Sequence, residues 1–226
     1  MPVVRHSPFA IRHSPFAIRH SPFAICLLGL VLAIVGYFAP WVPHETAALT
    51  VTGSELAEFA KFFPQVQGGV APVTRELFLT PLVAAAILLS LLTNKLTNKP
   101  TNKLTNKSPI LAAALLALAA LPPYQYLLDP GYRGQLILAA IGLILVLLTP
   151  LARRLPRRAQ GALVALLALA GALPALWQFV LLRPLVVALY DIPLGLGWGL
   201  IACVAGFALL LACGVLVAAS PDRSEK

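Results

Sequence analysis

Residues 194–219 read LGLGWGLIACVAGFALLLACGVLVAA, a run without a single charged side chain. A helix needs about 20 predominantly apolar residues to cross a hydrocarbon layer roughly 30 Å thick, and this run supplies them with residues to spare. Gly195, Gly199, Ala202, Gly206 and Gly214 punctuate it, two pairs at four-residue spacing. Small residues so spaced let another helix approach closely. The spacing serves packing within one chain and packing between subunits of an oligomer or larger complex equally well.

Working back towards the N-terminus, five further apolar runs stand at 160–182, 134–152, 109–128, 77–92 and 23–39. Six such runs predict an all-α fold, a polytopic transmembrane helix bundle whose membrane domain covers 23–219. Composition agrees: 59% of the 226 residues are apolar and 11% charged, against roughly 45–50% and 25% in an average soluble domain. The run 77–92 is the shortest, rising only about 24 Å at 1.5 Å per residue. It requires a thinned bilayer, or Arg75 and Lys95 reaching back to the interface.

Lys and Arg set the orientation, because short cytoplasmic loops keep an excess of them. Placing the N-terminus in the cytoplasm puts Arg5, Arg12, Arg19, Lys95, Lys99, Lys103, Lys107, Arg153, Arg154, Arg157, Arg158, Arg223 and Lys226 on that side. Only Lys61, Arg75, Arg133 and Arg183 remain outside, with Glu45, Glu55, Glu58, Glu76, Asp129 and Asp191. Both termini are therefore expected in the cytoplasm, with 220–226 as a short tail. The net charge of +9 is explained by topology; no aromatic residues interleave the basic ones for base stacking, so no nucleic-acid partner is expected. A compact Ala/Leu-rich chain with this charge pattern and no organelle-targeting signal points to a multi-pass protein of the cell membrane, a bacterial plasma membrane, with the lipid bilayer as its first partner.

Arg5 to Ile25 holds three copies of Arg-His-Ser-Pro-Phe-Ala-Ile, and Leu92 to Lys107 an array of Leu-Thr-Asn-Lys with one Pro variant. Proline in every heptapeptide forbids a continuous helix. Units this short lie below the 20–50 residues of structural repeats, so 1–22 and the loop 93–108 are expected to be disordered; basic tethering to lipid headgroups is the functional alternative. The one sizeable outer loop, 40–76, carries a candidate amphipathic helix at 53–63. Thr52 or Ser54 would cap it, Leu56, Phe59, Ala60 and Phe63 form its apolar face, and Pro64 would end it.

Cys26, Cys203 and Cys213 lie inside apolar runs with no CxxC and no nearby His, and read as small apolar side chains. No metal site, cofactor site or catalytic motif emerges. No charge falls deep inside a span, where an ionisable group would by default mark a pathway. Two spans do echo each other. Leu115 to Tyr126 and Leu166 to Phe179 are both Ala/Leu helices that meet proline and then an aromatic-Gln-aromatic triplet, as in transporters built from duplicated, broken helices.

All Trp and Tyr residues fall near the outer ends of the spans, whereas an ordinary aromatic belt populates both interfaces. His44, Glu45, Tyr124, Gln125, Tyr126, Trp177, Gln178, Arg183 and Asp191 thus form a candidate outer cup for a lipid headgroup, a sugar or a partner protein. With no polar or catalytic group in the spans, the leading expectation is a non-enzymatic membrane subunit or scaffold. The alternatives are a permease binding a small or lipidic substrate between spans three and five, and an intramembrane lipid-modifying enzyme.

Overall fold

The computed structural model describes residues 21–44, 50–96, 108–152, 154–190 and 195–220; most of both repeat arrays and the C-terminal tail lie outside them. The fold is all-α apart from one two-stranded ribbon. Helix α1 (Ser21–Phe38) begins inside the third heptapeptide, with Pro22 in its first turn, where a missing N–H has no intrahelical partner to lose. Strands β1 (Pro40–Val42) and β2 (Val51–Thr52) pair antiparallel. Helix α2 (Leu56–Phe59) runs on as a 3-10 turn, Ala60–Phe62, and α3 (Pro64–Gln67) follows. A 3-10 turn, Arg75–Leu79, leads into α4 (Thr80–Leu96). Helix α5 (Ser108–Leu118), two 3-10 turns at Tyr124–Tyr126 and Pro130–Tyr132, α6 (Arg133–Ala152), α7 (Arg157–Tyr190) and α8 (Trp198–Ala219) complete the chain.

Four stretches are long and apolar enough to cross a membrane: Arg75–Thr93, Pro130–Ala152, Arg157–Tyr190 and Trp198–Ala219; Ala24–Phe38 is apolar but shorter. Their outward surfaces are oily. Ile137, Ile141, Ile144, Leu147, Leu148 and Leu151 on α6 are all exposed, while its buried stripe is Gln135, Ala139, Gly142, Val146 and Thr149. Large apolar residues outside and small ones inside is the arrangement of helices that pack in lipid.

The shortest run proves to be the centre of the bundle. Every residue from Pro81 to Leu88 is buried, and 67% of the Arg75–Thr93 window is enclosed against 22% for Pro130–Ala152. Its all-round apolar character comes from protein neighbours on every side. The helix itself runs on to Leu96, 17 residues rising about 25 Å, and the 3-10 turn Arg75–Leu79 ahead of it adds roughly 10 Å at about 2 Å per residue, which makes up the missing length.

Helices α1 and α8, first and last among the described residues, pack backbone to backbone. A methyl group on Gly29 would stand 2.9 Å from the Gly206 carbonyl, and one on Gly206 would strike the Gly29 and Ala33 backbone. Gly36 meets Cys203 and Gly199 in the same way. Further along α8, Gly214 lies against Gly161 and Ala165 of α7. The small residues of the last span, Gly195 excepted, are thus occupied inside the chain. The cysteine expectation is corrected here: Cys26 and Cys213 form a disulfide between α1 and α8 across 187 positions, and only Cys203 is free and buried. The mutual packing of the two helices brings together thiols whose sequence spacing carries no hint of pairing.

Two expected boundaries also move. The third run, 109–128, is helical only to Leu118; the fifth, 160–182, extends to a 34-residue helix that passes through Pro174, Arg183 and Pro184. Buried polar groups repair the backbone that proline disrupts. Pro150 in α6 cannot donate to the Val146 carbonyl, and the Thr149 hydroxyl donates to it instead at 2.7 Å, itself 2.6 Å from the Ser90 hydroxyl of α4. Such side-chain substitution is how transmembrane helices tolerate proline.

Candidate functional site at the capped end

One end of the bundle is closed by the segments 40–44, 50–76, 119–132 and 195–197. Trp41 fastens it. The indole is buried, donates to the Gly36 carbonyl at 3.0 Å and meets the rings of Phe179 and Tyr37 edge-on at 5.8 and 6.5 Å. Its carbonyl accepts from Gly197 N at 3.0 Å, tying the entry of α8 to β1. A side chain on Gly53 would run into this indole at 2.6 Å.

Leu56, Ala60 and Phe63, part of the apolar face read from the sequence, are buried in the core. The N-cap of α2 is Glu55, not the expected Thr52 or Ser54, and no side chain caps the helix: the Glu55 carboxylate turns back to accept from the Thr52 backbone and hydroxyl, both at 2.9 Å. Pro64 starts α3, because Phe63 turns extended before it. The other face of this segment turns Glu58 and Lys61 towards Tyr132, which precedes α6.

Tyr132 is the hub of a polar cluster. Its ring is buried, stacked on Tyr126 at 5.3 Å and 15°, with the Lys61 ammonium 3.9 Å and the Arg75 guanidinium 5.2 Å from its centroid. Its hydroxyl donates to Glu58 at 3.1 Å. Lys61 donates to both Glu58 and the Tyr132 hydroxyl. Arg75 donates to the Gly131 carbonyl and stands 3.7 Å from Glu76. The 129–131 turn is set by Asp129, which accepts from Gly131 N at 2.8 Å. A methyl group at Gly134 would come within 3.0 Å of the Glu76 carboxylate, so glycine there leaves Glu76 its place. Cation-over-ring contacts of this kind contribute about 0.5–1 kcal/mol where exposed and more when desolvated.

Between these segments opens a pocket of about 530 Å³, lined by Lys61, Val66, Gln67, Val73, Thr74, Arg75, Glu76 and Gly131. Its wall is held from below: Gln178 of α7, buried, accepts from Thr74 N at 2.8 Å. Gln67 donates to the Lys61 carbonyl at 2.6 Å. The site thus combines two cations and two carboxylates on a framework of turns anchored to α4, α6 and α7. Among the described residues no group of three or more potential metal ligands occurs.

The residues of the candidate cup take different places. Tyr126 belongs to the cluster through its stack, and Gln178 supports it from inside. Tyr124 and Gln125 are exposed in the 3-10 turn, bonded to each other at 3.1 Å. Trp177 and Arg183 lie exposed on α7, and His44 packs on Tyr190 at 5.1 Å. Glu45 and Asp191 lie outside the described residues. Glu58, Lys61, Arg75, Glu76 and Tyr132 were not among the candidates, since the charged four were read for the orientation of the spans and the polar side of a surface helix, and Tyr132 as one of the outer-end tyrosines. The available signal was Glu58 and Lys61 sharing the polar side of a short helix, followed by an Arg-Glu pair at the mouth of an apolar run. The chain matches no protein-family model, no curated protein and no solved structure.

Proposed function

We propose that the chain is a six-pass protein of the cell membrane, a bacterial plasma membrane, with both termini in the cytoplasm, serving as a non-enzymatic subunit or scaffold. The observation that carries the reading is the employment of the polar side chains buried in the bundle. Gln135 donates to the Ala120 carbonyl at 3.0 Å, Gln178 holds Thr74, and Thr149 and Ser90 bond each other beside the Val146 carbonyl. Each of these four satisfies backbone or a neighbouring hydroxyl, and among the described residues only the buried Tyr37 hydroxyl lacks a hydrogen-bond partner, whereas a transport pathway needs several polar groups available to a passing solute. The permease alternative is correspondingly less supported, because α7 runs through Pro174 without a break.

The six-pass count draws on the element order. In this reading α1, α4, α5, α6, α7 and α8 are passes of alternating direction, with 40–44, 50–76, 119–132 and 195–197 at one end and the basic connections at the other, in keeping with the distribution of Lys and Arg. Single-Cys variants at Ser54, Ser108, Gln160 and Ser224, in a Cys203→Ala background that keeps the disulfide, test it with a membrane-impermeant maleimide and no reductant. Position 54 alone should label in intact cells; labelling at 108, 160 or 224 would overturn the count. For the subunit role, crosslinking in native membranes followed by mass spectrometry should return a stoichiometric second polypeptide. A chain that stays alone and moves solute when reconstituted into vesicles would favour the permease.

A further inference from the structure

The pocket beside Tyr132 has a composition that narrows its ligand. Lys61 and Arg75 stand on its wall together with Glu76, and Glu58 lies just behind Lys61. A purely anionic ligand would be forced against Glu76, and a purely cationic one against Lys61 and Arg75. Mixed walls therefore select by repulsion as well as attraction, and the ligand that satisfies both signs carries a negative and a positive group on a short tether. The Thr74 hydroxyl and the remaining guanidinium donors of Arg75 suit a phosphate, since guanidinium bonds to phosphate are charge-assisted and geometrically specific.

The nature of the positive group follows from the aromatic surface. A quaternary ammonium seeks the open face of an aromatic ring, but the Tyr132 ring is covered by Tyr126, Lys61 and Arg75. What remains is a carboxylate, which prefers an ammonium with N–H groups to donate. The depth is that of lipid headgroups, because Arg75 and Glu76 open the membrane-crossing stretch Arg75–Thr93. Phe62, Val70 and Leu128, within three positions of lining residues, are large, apolar and exposed, as expected of residues beside acyl chains. The volume of about 530 Å³ lies within the range of small-molecule sites.

We propose that this pocket binds a phosphoethanolamine group, with its phosphate on Arg75, Lys61 and Thr74 and its primary ammonium on Glu76, and that the group is the headgroup of a phosphatidylethanolamine lipid. The proposal uses the reading of Arg75–Thr93 as a membrane span but not the subunit role. The maleimide labelling above tests the topology independently of any ligand.

The test is native mass spectrometry of the intact, disulfide-bonded chain in detergent, titrated with phosphatidylethanolamine, phosphatidylglycerol or phosphatidylcholine of one acyl composition, and separately with free phosphoethanolamine. The wild type should retain phosphatidylethanolamine about tenfold better than either other lipid. Glu76→Gln should abolish the preference over phosphatidylglycerol, and Arg75→Gln should weaken phosphatidylethanolamine about tenfold. Equal retention of the three lipids by the wild type overturns the proposal without any variant, so a misfolded Arg75→Gln leaves it open to refutation. So does an unchanged preference in a Glu76→Gln protein of unchanged melting temperature. Displacement of the lipid only by large excesses of free phosphoethanolamine supports the lipid as source. Binding of the free compound as tightly as the lipid overturns that assignment in favour of a soluble ligand.

Discussion

Leu115–Tyr126 and Leu166–Phe179 are nearly the same sentence written twice, and the chain folds them differently. In the first, α5 stops at Leu118 and the backbone tightens into i→i+3 bonds, Ala120 N to Ala117 O at 3.1 Å and Leu121 N to Leu118 O at 3.0 Å. In the second, α7 continues through Pro174 to Tyr190. The difference is one proline. Pro122-Pro123 withdraws two consecutive donors, and each proline also disfavours helical geometry at the residue before it. Pro174 withdraws one donor, the one owed to the Ala170 carbonyl, while the next carbonyl, Gly171, also accepts from the Thr80 hydroxyl of α4 at 3.0 Å. Apolar pattern alone specifies a helix in both places; the count of lost hydrogen bonds decides whether it survives.

The largest effect should come from making the second copy resemble the first. Ala175→Pro creates a proline pair in the middle of α7 at a fully buried position. A proline in a helix interior costs about 3 kcal/mol or more, so the variant should fail to give a monodisperse peak in detergent, and a wild-type profile would break the comparison. Next come the glutamines. Gln135→Leu strands the Ala120 carbonyl where the first copy ends and should cost about 1–3 kcal/mol, read as a lowered thermal midpoint. Gln178→Leu should cost less, because the Thr74 residue it releases is exposed and its N–H can turn to water. A smaller effect is expected of Thr80→Val, about 1 kcal/mol, since the hydroxyl contributes one net hydrogen bond. Smallest should be Pro174→Ala: with the helix already continuous, the midpoint should hold or rise slightly, and a marked fall would mean that the bend at Pro174 is needed for packing.

The same contrast explains what could be read in advance. The runs at 23–39, 134–152 and 194–219 match α1, α6 and α8 to within a few residues, because hydrophobicity over a bilayer's thickness is a local property of the chain. The end of α5 and the overrun of α7 depend on neighbours and so lay beyond reach; Arg183 and Pro184 look like a boundary until the helix is seen to carry them on its exposed side. Pairing of Cys26 with Cys213 and of Lys61 with Tyr132, 71 positions apart, is tertiary. Of the candidate cup, Tyr126 and Gln178 found their way to the polar cluster. Trp41, read as an interfacial aromatic, turned out to be a bolt in the core, since Gly53 leaves room for its ring, Gly197 lies against its backbone, and the Gly36 carbonyl accepts from its indole.

The embrace of α1 and α8 bears on how the protein is made. A ribosome elongating at about 5–20 residues per second needs roughly 10–40 s to travel the 187 positions between Cys26 and Cys213. For that interval the Gly29, Ala33 and Gly36 groove of α1 stands open, its proper occupant not yet synthesised. The bundle is therefore completed by α8, and a chain truncated before it would keep an open seam along its oldest segment.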